Sequence, residues 1–410
     1  MGSADFPSSN YVKNIRQLTF GGHHTLPSFN FDGTQIVFTA KGGPYGMDCE
    51  QVYRLNLQDL TEKPARLSPG LGYATNAKYF PGNNEVIFES NFHKIAYPDD
   101  FTASKTCPIS TCSRAGQDQT IGQLCTKPTW NLFANTDVFR FTEYGNIKDQ
   151  LSNVPNNGYC GSGTVDTPSF DGQMLYYGQM DDLGINLYTK VLNQAVPPEL
   201  ITTEQKTAYY GGITVNGDGQ RMAYHGRKPT DVDEIASLKQ YLQNNLVPTT
   251  KMDIYVAGRD SLTSPQQIQQ VQNYSNSFPS FANTNGNKVI FTTNYGQPTT
   301  NNYGLYLYNE NDKTLQTLLK TTQFSIIHGS VSKDYNKIVF ASNKDSNDPN
   351  IYQLYLADFN VTGSSPSDFD GGHYQVVKPE EIEKVDQTCW QNTPTNNLYD
   401  GVVHFPGEVH

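Results

Sequence analysis

The chain has 410 residues, enough for a large core. Its formal net charge of −11, with basic residues scattered rather than clustered, argues against a polyanion such as nucleic acid as a partner. No apolar run approaches the ~18 residues that span a bilayer, so no membrane insertion is expected; abundant Asn, Gln, Thr, Tyr and Gly with only two Trp fit exposed sheets and polar turns rather than a helical bundle.

Residues 11 to 20 read as a lone strand ahead of the first full repeat. Such a strand is expected to complete the last module of a closed repeat sheet, so that no edge stays open. From Leu26, alternating apolar residues lead into an Asp32-Gly33 turn, then an apolar run and a second alternating run from Gln51 to Leu57, which together predict antiparallel strands in succession. The phrase returns at Gly72 to Ser90, resuming at Asp137 to Thr142. It returns again at Pro168 to Tyr177 with Ile185 to Lys190, at Gly212 to Tyr224 with Met252 to Val256, at Pro279 to Phe291 with Gly304 to Tyr308, and at Gly329 to Ser342 with Gln353 to Asp358. Six phased copies predict an all-β fold over residues 11–362: a six-bladed β-propeller whose N-terminal strand closes the last blade.

Two stretches interrupt the repeats. Residues 91–136 form an insertion in blade two. In blade four a helix is predicted over 230–246: Thr230 caps it, Asp231, Asp233 and Glu234 load its first turn, and Ile235, Leu238, Leu242 and Leu246 recur at helical spacing before Pro248. Residues 363–410 carry no repeat and are expected to be a C-terminal extension packed on the propeller.

Six cysteines occur, at Cys49, Cys107, Cys112, Cys125, Cys160 and Cys389, three of them in the insertion, where no strand pattern holds the loop. Disulfides are expected to hold it. Zinc is the competing reading, but there is no paired C-x-x-C and His93 is the one nearby imidazole. The sequons at Asn273 and Asn360 agree with a secreted, extracellular glycoprotein. The opening Met1-Gly-Ser3 is not a signal peptide and reads as a scar replacing one.

The recurring Phe-x-x-Asp-Gly-x-x-Ile-x-Phe phrase, with its Gln17-Leu-Thr-Phe20 lead-in, resembles the PD40 repeat of TolB-like propellers over about residues 14 to 360. The segment from Arg227-Lys-Pro229 through the acidic-started helix to Tyr255 is similar to one in bacterial secreted members. The resemblance implies a protein-binding platform, a gating domain of a serine peptidase, or a stand-alone propeller. A peptidase needs a Gly-x-Ser-x-Gly elbow; the nearest string, Cys160-Gly-Ser-Gly163, lacks the spacing and no hydrolase-length segment remains, so that activity is excluded.

The starts of the inner strands are expected to open on one mouth of the central channel. His23, His24, Tyr73, Tyr209, Tyr210, His225, Arg227 and His328 fall there as candidate ligand-binding residues. The first reading is a non-catalytic module binding an extracellular protein or glycan at that mouth, without a cofactor. The second is an enzyme similar to propeller-fold polysaccharide lyases, with His24 and His328 as bases or ligands of a divalent metal and Tyr210 as proton donor. Calcium at Asp181, Asp182 or Asp334 is a further alternative. The third reading is an extracellular structural or coat component. Against the second stands the plain role of loop histidines, which is to bond backbone and water.

Overall fold

The computed structural model describes residues 5–82, 84–95, 106–154, 158–165, 172–182, 184–202, 207–297 and 302–361. The expected C-terminal extension with Cys389, and the start of the third copy at Pro168, lie outside the described residues.

The elements follow the repeat. β1 (Val12–Gln17) precedes β2 (His23–Phe29), β3 (Gln35–Lys41), β4 (Gln51–Asn56) and β5 (Ala65–Arg66), which form one antiparallel sheet in that order. Next come β6 (Ala74–Tyr79), β7 (Glu85–Ser90), the short helix α1 (Gln119–Leu124), β8 (Thr129–Asn131), β9 (Asp137–Thr142) and β10 (Ile147–Gln150); β6, β7, β9 and β10 make the second sheet. β11 (Cys160–Val165), β12 (Met174–Asp181), β13 (Gly184–Val191) and β14 (Glu199–Leu200) share a sheet of eight strands with β15 (Ala208–Val215), β16 (Arg221–Arg227), β18 (Asp253–Gly258) and β19 (Gln266–Gln267). Between β16 and β18 lie helix α2 (Val232–Gln243) and β17 (Leu246–Pro248). β20 (Asn276–Phe281), β21 (Lys288–Thr293), β22 (Gly304–Asn309) and β23 (Thr314–Leu319) form a further sheet. β24 (Ile326–Val331), β25 (Lys337–Ser342) and β26 (Gln353–Phe359) form the last, and β1 adds to it alongside β26, with Val12 opposite Phe359 and Gln17 opposite Tyr355.

The arrangement is propeller-like and mostly β, with few helices. Where six separate sheets were expected, four four-stranded sheets stand alone and the middle of the chain makes one sheet of eight. The join is short: β13 and β15 run parallel through Gly184 opposite Ala208 and Ile185 opposite Tyr209. Gly184 makes it feasible, because its φ is +137° and a Cβ there would stand 2.1 Å from the Ala208 carbonyl oxygen.

Neighbouring sheets, and the two halves of the eight-stranded one, press apolar faces together, and six core clusters lie between them. Phe38 and Leu55 of the first sheet meet Val339 and Leu354 of the last, while Val37 and Val52 face Phe88 and Phe139 of the second. Ile87 and Val138 meet Leu175 and Tyr177, Tyr176 and Leu187 meet Tyr210 and Tyr224, Ala223 and Ile254 meet Phe291 and Tyr306, and Ile290 and Leu305 meet Phe340 and Tyr355. Burying a side chain of this size stabilises by roughly 1.5–3 kcal/mol, so the ring of interfaces holds the disc.

The insertion and the α2 segment build one cap. Disulfides Cys49–Cys107 and Cys112–Cys125 hold the insertion, as expected for these four cysteines. Cys160 is buried on β11 as a free thiol, with no disulfide partner among the described residues, and Cys389 lies outside them. β8 pairs antiparallel with β17, and Tyr241 of α2 donates its hydroxyl to the Leu124 carbonyl at 3.2 Å. Leu238 and Leu242 seat α2 on the disc beside Ile185, Tyr209 and Val247.

The helix differs from its sequence reading at both ends. Asp231, not Thr230, is the N-cap, its Oδ1 accepting from the Asp233 and Glu234 amides at 2.9 and 3.1 Å; Leu246 belongs to β17. Asp231→Ala should therefore cost about 1 kcal/mol in urea unfolding, with Thr230→Ala near neutral; equal effects would mean that the cap is shared.

Candidate functional site

The innermost strands β2, β6, β11, β15, β20 and β24 each carry a bulge at the same register, between Thr25 and Ser28, Thr75 and Lys78, Gly161 and Thr164, Gly211 and Thr214, Ser277 and Ser280, and Ile327 and Ser330. A bulge leaves one residue unpaired and bends the strand. In five of the strands that residue is left-handed: Leu26, Asn76, Gly212, Phe278 and His328, with φ between +49° and +58°. Leu, Phe and His adopt this conformation at a cost of about 1–2 kcal/mol each, so something must hold them there.

Side chains of the preceding sheet do so. The Asn76 amide donates to Thr39 Oγ1 at 3.3 Å, the Phe278 amide to His225 Nδ1 at 3.1 Å, and the His328 amide to Thr292 Oγ1 at 2.9 Å. Thr39, His225 and Thr292 occupy one register position on the second strands β3, β16 and β21. In the last sheet that position is Ala341, which has no acceptor; His328 of the same sheet supplies one instead, its Nδ1 taking the Leu26 amide at 3.3 Å. Gly212 is the companion requirement, since a Cβ there would lie 2.2 Å from His225 Nδ1.

These bonds set the state of the imidazoles. An Nδ1 that accepts an amide proton carries none itself, so His225 and His328 are neutral with the proton on Nε2. Burial pushes both down to about 3, and neighbouring imidazole charge adds to the shift at His328. His24, likewise lowered to about 3 by burial, sits 3.0 Å from the Tyr45 hydroxyl against Phe38, between strands rather than in the channel. His23 accepts the Tyr352 amide at 3.3 Å.

The candidate residues thus fall into separate places. His225 and His328 meet through Phe278, whose ring lies 5.0 and 4.4 Å from theirs. Tyr209 stacks near His225, while Tyr210 packs edge-on to Tyr224 and Tyr255 in the core between the two halves of the eight-stranded sheet. Tyr73 bonds Thr136 Oγ1 at 2.6 Å, and Arg227 holds the Thr250 carbonyl at 2.8 Å. Asp181 is engaged by Asn186 and Tyr188 on β12 and β13, Asp182 is exposed nearby, and Asp334 caps Ser332 in a turn of the last sheet. Among the described residues no group of three or more His, Cys, Asp or Glu gathers at metal-binding range. Asn273 is an exposed turn residue and Asn360 is half-buried, its amide on the Tyr11 carbonyl.

A cavity of about 110 Å³ occupies the channel, running from the bulges at Leu26, Asn76, Gly212, Phe278 and His328 to the turns at Phe31, Gly217 and Lys333. On the other side of Phe278 and His225 stands Trp130 of β8, its ring 5.4 Å from each. The insertion thus backs the histidine end of the channel, and the cavity reaches toward the turns.

Three residue classes were missed by the sequence reading. Trp130 gave no signal, because its partners come from α2 and from other sheets. Phe278 looked like an ordinary repeat aromatic. Lys78 and Lys333 are the third: both line the cavity, and the register position of Lys78 carries Ser28, Thr214, Ser280 or Ser330 in four other inner strands. A lysine in a column of small hydroxyls was a readable signal.

No family model matches the chain, and no curated protein matches it. Among solved structures, the chain is similar to a putative TolB from Agrobacterium tumefaciens at 14% identity and a TM-score of 0.46, covering 83% of this chain and 91% of that one. It is similar to an oligogalacturonate lyase in complex with manganese at 12% identity and a TM-score of 0.49, covering 88% and 96%. The β-propeller domain of the Trilobed protease from Pyrococcus furiosus matches at 11% identity and a TM-score of 0.43, covering 82% and 81%. At these identities the likeness is one of fold alone.

Proposed function

We propose that the chain is a secreted, non-catalytic, six-bladed TolB-like propeller that binds a protein or glycan through one mouth of its channel. The blade count takes the eight-stranded sheet as two blades stitched by the β13–β15 pairs, consistent with six inter-sheet cores. Secretion is supported by the two disulfides, and no helix among the described residues is long and apolar enough to cross a membrane.

One observation carries the binding reading over the enzymatic one. His225 and His328 each use Nδ1 to accept a backbone amide, and burial keeps them neutral far below physiological pH. A general base must be free to take a proton near the operating pH, and these imidazoles would first have to release the bulges they hold. The mouth we assign is the one at the turns after the inner strands, where the cavity opens, rather than the one at their starts.

The test is an array of peptides and oligosaccharides probed with the full chain, alongside a turnover assay on acidic and neutral polysaccharides. Saturable binding without bond cleavage is expected. Cleavage that His328→Gln abolishes while the fold survives would overturn the reading.

A further inference from the structure

Among the described residues, the turn-side lining of the channel holds two ammonium groups and no carboxylate. Lys78 projects from β6 after its bulge, and Lys333 comes from the turn that follows β24; both line the same cavity. Lys333 lies 5.0 Å above the centre of the Phe31 ring, and neither lysine has an ion-pair partner among the described residues. Three carboxylates in the turns beside the lining, Asp32, Asp218 and Asp334, are engaged locally, Asp218 accepting from the Gln220 amide at 2.9 Å. Asp32 accepts from the Thr34 amide at 3.0 Å and from its hydroxyl, and Asp334 accepts from Ser332 Oγ at 2.5 Å and the Asn336 amide at 3.4 Å.

Burial of two like charges is unfavourable unless an anion joins them. The lysines register this: burial lowers both to about 8, and at Lys333 the charge of Lys78 contributes. Each Lys side chain also carries three donors and no acceptor. The rest of the wall offers hydroxyl and amide groups at Asn76, Ser330 and Tyr335. The cavity of about 110 Å³ has room for a small oxyanion between the two lysines.

We propose that Lys78 and Lys333 form an oxyanion site, taking a carboxylate or phosphate group at the turn-side mouth of the channel. The proposal rests on the reading of this mouth as a binding surface and adds the chemistry of what it recognises. Phe31 of the first sheet serves as a floor that fixes the Lys333 ammonium by cation–π attraction, and Lys78 meets the same ligand from the second sheet.

The experiment measures thermal unfolding and calorimetric titration of the full chain with inorganic phosphate and with malonate, at low ionic strength. It is repeated for Lys78→Met, Lys333→Met and the double variant. A ligand that binds the native state raises the midpoint by mass action. Wild type is expected to be stabilised and to release heat, each single variant to bind about tenfold more weakly, a step of ~1.4 kcal/mol, and the double variant to bind neither anion. Stabilisation by phosphate alone, malonate alone or both supports the site and tells which oxyanion it takes. The double variant should be at least as stable as wild type without ligand, since it removes two mutually repelling charges, so lost binding is separable from lost folding. No stabilisation of wild type by either anion, or equal stabilisation of the double variant, overturns the proposal. A neutral oligosaccharide captured equally by wild type and double variant would overturn it while leaving the binding reading intact.

Discussion

Acidification from pH 7 to pH 5 is expected to remove about 5 kcal/mol of this protein's stability. His24, His225 and His328 are each lowered from an ordinary 6.5 to about 3, chiefly by burial. In the folded state they stay neutral at pH 5, whereas in the unfolded chain they take up protons below pH 6.5. The unfolded state therefore binds more protons, and stability falls with pH. The contribution is fully present above pH 6.5 and is lost progressively toward pH 3. At ~1.4 kcal/mol per pH unit per group, three imidazoles together remove about 6 kcal/mol by pH 5.

Asp253 works the other way. Its carboxyl is raised to about 6, chiefly by burial, so it protonates in the fold before it does in the unfolded chain and, screened by solvent, returns less than about 1 kcal/mol over the same interval. The net loss is about 5 kcal/mol, against a usual domain stability of ~5–15 kcal/mol. Urea unfolding at the two pH values measures it. Unchanged midpoints would mean that the imidazoles are charged in the fold, and the account of the bulge caps would fail with them.

Reduction should have an effect of similar size. Cys49–Cys107 closes a loop of sequence separation 58 and Cys112–Cys125 one of 13. Loop-closure entropy assigns these about 4 and 3 kcal/mol respectively. The first ties the insertion to the loop between β3 and β4; the second closes α1 back on the turn before it, beside Leu124, Tyr241 and Leu246. The variant Cys49→Ser with Cys107→Ser should unfold at markedly lower urea than the corresponding pair of substitutions at Cys112 and Cys125. Cys160, buried and with its thiol raised far above the usual range by burial, should react with a thiol reagent only on unfolding. If reductant leaves the urea midpoint in place, the cap is held by packing alone.

What was readable in the chain follows from which forces are local. Alternation of apolar residues and Asp-Gly turns are local, and they located the repeat strands, including β1 beside β26. The cap of α2 was misplaced by one residue because Thr230 and Asp231 are both competent acceptors and only backbone geometry chooses between them. Leu246 kept helical spacing by coincidence, and its place in β17 is decided by β8, from a distant part of the chain.

The site was less legible for a related reason. A bulge adds one residue and exchanges the faces of everything after it, so simple alternation through Thr75 does not place Lys78 in the channel. His225 and His328 were recognisable as special residues near one end of the disc. Their work as amide acceptors depends on the bulge of the following sheet, and no periodicity within their own strands encodes that.

The β8–β17 pair has a consequence for the order in which the protein matures. Residues 129–131 wait for a partner at 246–248, and the strands between them must first be made and stacked. The Cys112–Cys125 bridge spans a short loop and needs nothing downstream, so on an emerging chain it is able to oxidise early. Long-range pairing is slow because loop closure precedes its reward. Until β17 arrives, Trp130 and the apolar underside of the insertion are uncovered, and this interval is when a nascent chain is most exposed to association with its neighbours.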